Sequence, residues 1–82
     1  MLTIKFFAVL RERLSSDRMQ LPLEQPKSVS EVVEQLKQQS QLWHKELSRY
    51  DLLCAVNQEF ADHSTVVKEG DELALFPPVT GG

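Results

Sequence analysis

The run SVSEVVEQLKQQSQLWHKEL, Ser28 to Leu47, opens with a helix start and carries a single apolar stripe. Ser28 and Glu31 have the spacing of a capping box. The serine hydroxyl takes the N–H three residues on, and the glutamate reaches back to the serine's own N–H. Val29, Val32, Val33, Leu36, Trp43 and Leu47 then recur at spacings of three, four or seven, which puts them on one helical face. Glu34, Gln35, Lys37, Gln38, Gln39 and Gln41 fill the solvated face. The pattern predicts one helix over Val29 to Leu42, with a weaker extension to Ser48. Such a helix must bury its stripe against a second layer.

The flanking segments supply that layer. LTIKFF, Leu2 to Phe7, is rich in β-branched and aromatic residues and largely apolar on both faces, so a central strand is expected. AVLRERLS suits a two-turn helix that stops at Ser15-Ser16-Asp17. RMQLPL places Met19, Leu21 and Leu23 on one face, and Pro22, which cannot donate to a ladder, assigns this strand to an edge. LLCAVN, Leu52 to Asn57, is short and almost wholly apolar, which predicts a buried strand. Asn57-Gln58 turns into a brief strand around Phe60. Val66 and Val67 precede KEGDE, where Gly70 suits a turn needing positive φ. ELALF returns as the last strand. The order β–α–β–α–β–(β)–β describes an α+β domain of the β-grasp kind, a mixed sheet of about five strands with one main helix packed across it.

Size and composition narrow what such a domain does. With 82 residues there is one core and no room for an elaborate internal active site. The net charge of -3 and nine scattered basic residues argue against nucleic-acid binding, which favours a basic patch or stripe. The one cysteine, Cys54, excludes an internal disulfide or a Cys-rich metal site, and its apolar setting predicts a buried, unreactive thiol. His44 and His63 lack acids or cysteines at ligand spacing, so surface or packing roles are expected, and no metal site. Asp62 beside His63 reads as turn chemistry. No signal-peptide pattern or membrane-length apolar run occurs, so a reduced, cytoplasmic setting is the expectation.

The end of the chain, FPPVTGG, is different in kind. Two of the three glycines are its last two residues, an arrangement that arises by chance in roughly 0.5% of chains at average glycine usage. Pro77 and Pro78 fix φ and lack N–H donors, so they end the last strand and project the remaining residues off the domain. Residues 1–78 are then the folded domain and 79–82 a flexible tail. Val79, Thr80, Gly81 and Gly82 add at most about 14 Å of reach. Glycines without Cβ make a thin chain suited to a narrow channel in another protein, ending in a carboxylate.

IKFFAVLRERL, LLCAVNQEF and GDELALFPPVTGG together resemble the small subunit of molybdopterin synthase, through nearly the whole chain in order. That resemblance implies a ubiquitin-like β-grasp sulfur carrier of molybdenum-cofactor synthesis. In that family an E1-like adenylyltransferase uses ATP to activate the terminal glycine, which then becomes a thiocarboxylate. The tail delivers sulfur to cyclic pyranopterin monophosphate in the active site of the large subunit. Here Gly82 would carry the sulfur and Gly81 would let the tail thread, with no cofactor bound by the chain itself. The resemblance also implies a heterotetramer with two large subunits at its centre. Phe60 and Phe76 are candidate anchors for such partners, with core packing the alternative, and Arg11 a candidate rim contact. Pro77, Pro78, Val79 and Thr80 would complete the contact. A thiamine-type carrier, a ubiquitin-like protein modifier and a purely structural interaction domain are the other readings.

Overall fold

In the computed structural model, which describes residues 1–78, Ser28 and Glu31 form the expected box. Glu31 N–H donates to Ser28 Oγ at 3.1 Å, and Ser28 N–H donates to Glu31 Oε1 at 3.0 Å. The elements are β1 Leu2–Phe6, α1 Ala8–Leu14, β2 Arg18–Leu21, β3 Lys27–Ser28, α2 Val29–Lys37, α3 Gln41–Arg49, β4 Leu53–Val56, β5 Glu59–Ala61, β6 Val66–Val67 and β7 Glu72–Phe76. Five strands pair in the order β2-β1-β7-β4-β5. The β1–β7 pair is parallel and the other three are antiparallel, so the sheet is mixed. A separate two-residue ladder joins β3 to β6, too short to leave a pattern in the sequence.

The single helix expected from Val29 to Leu42 is two helices. Helix α2 ends at Lys37, and Ser40 starts α3 by accepting from Trp43 N–H at 3.1 Å. A straight continuation would have carried Gln39 and Ser40 around onto the apolar stripe, between Leu36 and Trp43. Breaking there leaves both exposed and lets the second helix swing its own apolar residues inward. Trp43 meets Phe6 edge-on, with ring centroids 5.3 Å apart, and Leu47 is buried.

Helices and sheet enclose one core. Leu2, Ile4 and Phe6 of β1 and Leu73 and Leu75 of β7 meet Val29, Val32 and Leu36 of α2, with Leu10 and Leu14 of α1. Strand β1 is central, as expected, yet it is covered on one face only: Thr3 and Lys5 point the other way. The same correction applies to β4. Cys54 is buried, whereas Leu53 is 43% exposed, so the apolar run LLCAVN is not a strand buried on both sides. Strand β2 forms the edge that Pro22 predicts, and β7 lies in the middle.

The turns follow their residues. Asn57 and Gln58 take φ of 51° and 69°, the left-handed pair that suits a two-residue hairpin between β4 and β5. Gly70 has φ of 89°, as its turn requires. Asn57 also clasps the neighbouring connection. Its Oδ1 accepts from Glu72 N–H at 3.0 Å, and its Nδ2 donates to Asp71 Oδ1 at 3.1 Å. Asp71, itself buried, takes Lys68 N–H at 2.9 Å. No helix among the described residues is long and apolar enough to cross a membrane.

Candidate functional site

Because side chains alternate along a strand, the residues that miss the core share the opposite face of the sheet. Pairing registers set them in rows. Arg18, Lys5, Ala74, Ala55 and Phe60 are successive cross-strand neighbours, and Phe76 lies opposite Leu53 in the next row. No helix among the described residues covers this face. Phe60 is 85% exposed, and its ring stands 6.0 Å from that of half-buried Phe76 at an interplanar angle of 65°. The two phenylalanines are therefore partners of each other on an open surface, and neither packs in the core. Leu53 adds to the same apolar patch.

Phe7 belongs here too, although its placement is not legible in the sequence. The alternation that turns Phe6 inward turns Phe7 outward, where it is 42% exposed, and its N–H donates to Leu75 O at 3.2 Å. The chain then bends at Ala8 straight into α1. The φ of 57° at Ala8 is a left-handed conformation that alanine seldom takes. That abrupt bend keeps Phe7 beside the end of β7.

Strand β7 ends at Phe76, where Pro77 and Pro78 follow, half-buried and exposed respectively. The chain thus leaves the domain at the margin of the aromatic patch. Val79, Thr80, Gly81 and Gly82 lie outside the described residues. Arg11 is exposed on α1, whose Leu10 and Leu14 join the core on the helical side. It does not share the face that carries Phe60 and Phe76.

The other chemistry-bearing residues, exposed His44 apart, hold the fold together. His63 Nε2 lies 2.7 Å from the Leu52 carbonyl oxygen, and His44 is exposed on α3. Asp62 accepts from Ser64 N–H at 3.0 Å and from the Ser64 hydroxyl, contacts that hold its carboxyl below the usual range. It organises a turn. Cys54 Sγ donates to the Ala61 carbonyl at 3.2 Å, and burial pushes its thiol up, away from reactive thiolate. Among the described residues no group of histidine, cysteine, aspartate or glutamate is arranged to hold a metal ion.

What this arrangement offers is an open, partly aromatic face beside the strand end that Pro77 and Pro78 follow. The model of the ThiS family matches residues 4–82 of the chain. The molybdopterin synthase sulfur carrier subunit of Haemophilus influenzae is 43% identical over 83 residues, an alignment covering all of both chains. The crystal structure of small archaeal modifier protein 1 from Haloferax volcanii is 31% identical, with a TM-score of 0.76 over 95% of this chain and 97% of that one. A chain in the complex of subunits 1 and 2 of the molybdopterin-converting factor from Helicobacter pylori is 23% identical. It superposes with a TM-score of 0.68 over 99% of this chain and 97% of that chain, a likeness of fold.

Proposed function

This chain belongs to the ThiS family, and we propose that within it the chain serves as the sulfur carrier subunit of a molybdopterin synthase. The observation that carries this reading is the 43% identity, over full length, to a relative of that name. The open aromatic face supports it, because a carrier whose chemistry happens inside other proteins needs a surface on which they can dock.

The chemistry we assign to the tail begins with a poor electrophile. A carboxylate resists attack by sulfur, so an E1-like partner first spends ATP to make an acyl adenylate on Gly82 and releases pyrophosphate. A sulfur nucleophile then displaces AMP, leaving one carbonyl oxygen and one sulfur on the glycine. In the large subunit's active site that sulfur passes to cyclic pyranopterin monophosphate, and the carboxylate is regenerated by water. Gly81 and Gly82 suit a narrow channel, and Val79 and Thr80 would span the distance from Pro78. The domain's own part is to bind: Phe60, Phe76, Phe7 and Leu53 give the large subunit an apolar anchor. We assign the chain to the cytoplasm, where a reducing milieu would preserve a thiocarboxylate and the free Cys54.

A second reading, a ubiquitin-like modifier joined to lysines through the same carboxylate, draws on the likeness to the archaeal modifier protein. Intact mass separates the two. A carrier purified from its own host gains about 16 Da, the exchange of oxygen for sulfur. A modifier shows lysine adducts instead. Adding one residue after Gly82 tests the carrier reading directly, for molybdopterin formation that survives the extension would refute it.

A further inference from the structure

The open face carries a second feature that the aromatic patch does not explain. Lys5 on β1 and Arg18 on β2 are directly opposite each other in an antiparallel pair and share the uncovered side of the sheet. Like charges at that spacing disfavour the pairing. Only one carboxylate answers them among the described residues: Glu72 on β7 holds Lys5 Nζ at 3.1 Å. Arg18 is exposed, and no ion pair is formed by its guanidinium among the described residues. The three groups together leave one net positive charge.

This basic pair stands at one end of the cross-strand row whose other end is Phe60, with only Ala74 and Ala55 between. Two small side chains leave a shallow floor, so anything seated against Phe60 and Phe76 passes next over Lys5 and Arg18. A partner with an apolar or basic surface at that place would strand the Arg18 guanidinium without water, at a cost. A carboxylate there relieves both the desolvation and the repulsion within the pair, and makes charge-assisted hydrogen bonds.

We propose that the partner docked on the aromatic patch lays an acidic side chain over the Lys5–Arg18 pair, so that this end of the row fixes the partner's orientation. The inference rests on the proposed function, in which the large synthase subunit covers this face. The pair acts at the rim, where charge sets orientation and rate of encounter more than total affinity.

Arg18→Glu tests the idea because stability and binding move in opposite directions. In the free protein a glutamate opposite Lys5 turns a repulsive pair into an attractive one, so thermal stability holds or rises. Affinity for the large subunit of the same host falls about tenfold at low salt, and the gap narrows as salt is raised and the charges are screened. Arg18→Lys retains most of the affinity. An Arg18→Glu protein that binds like wild type overturns the inference, and so does a loss that is indifferent to salt or accompanied by a fall in stability. Phe60→Ala, measured alongside, keeps the two levels apart. If Phe60→Ala weakens binding and Arg18→Glu does not, only the acidic contact is wrong. If neither does, the face itself is not where the large subunit docks.

Discussion

One sheet shows two faces built from alternate residues of the same strands. Leu2, Ile4, Phe6, Leu73 and Leu75 point to the helices and are at most 1% exposed. Thr3, Lys5, Phe76, Leu53 and Phe60 point away and meet no second layer among the described residues. The closed face holds the fold, since removing apolar area from water is the main favourable term in folding. The open face gains little from its phenylalanines in the free protein, and an uncovered apolar patch promotes association. Exposed aromatic residues of this kind fit the docking role proposed for this face.

Substitutions that separate the two faces give the sharpest contrast. Phe6→Ala, which also strips Trp43 of its edge-to-face contact, is expected to cost about 3–5 kcal/mol in urea unfolding. A cost under about 1 kcal/mol would mean that the closed face is not the stabilising one. Asp71→Ala breaks the clasp between the β4–β5 turn and the β6–β7 connection, and about 1–3 kcal/mol is expected from the stranded donors. Hydrogen bonds from Lys68 N–H and Asn57 lower the Asp71 pKa in the fold. Its contribution is therefore full above the ordinary aspartate pKa, roughly pH 4, and is lost as pH falls through the lower folded value. Stability of wild type and Asp71→Asn should converge in acid, which unfolding curves at pH 7 and pH 3 would reveal.

Ser40→Ala removes the cap of α3 and should cost about 1 kcal/mol, with less helical circular dichroism but no loss of sheet. The smallest effect on folding belongs to the open face. Phe60→Ala should change stability by no more than about 0.5 kcal/mol, since the ring is 85% exposed. Its affinity for the large subunit should nevertheless fall by tenfold or more. Equal effects of Phe6→Ala and Phe60→Ala on unfolding would erase the distinction between the faces.

Much of the fold is readable from residues alone, and the failures share a cause. The capping box, the Pro22 edge, the Asn57-Gln58 hairpin and the Gly70 turn each depend on local backbone chemistry that a few residues determine. The break at Ser40 is hidden because seven residues separate Leu36 from Trp43. Two turns of one helix and a fresh start give that same spacing. The polar residues Gln39 and Ser40, placed where the stripe should continue, are the signal that could have found it. Exposure of Leu53 and Phe7 cannot be read locally, since an apolar run shows which residues prefer burial but not whether a second layer exists to bury them. Phe60 and Phe76 are candidate anchors from their type and position, and their contact with each other depends on the β4–β7 and β4–β5 registers. Val79 to Gly82 lie outside the described residues.

The place of β7 in the sheet has a bearing on how the molecule is made. Residues 72–76 join the β1–β2 pair to the β4–β5 hairpin, so the sheet has no continuous middle until they arrive. Thr3 pairs with Glu72, and a contact between residues so distant in sequence slows folding. A chain interrupted before residue 72 lacks the strand that unites its halves and stays open to proteolysis.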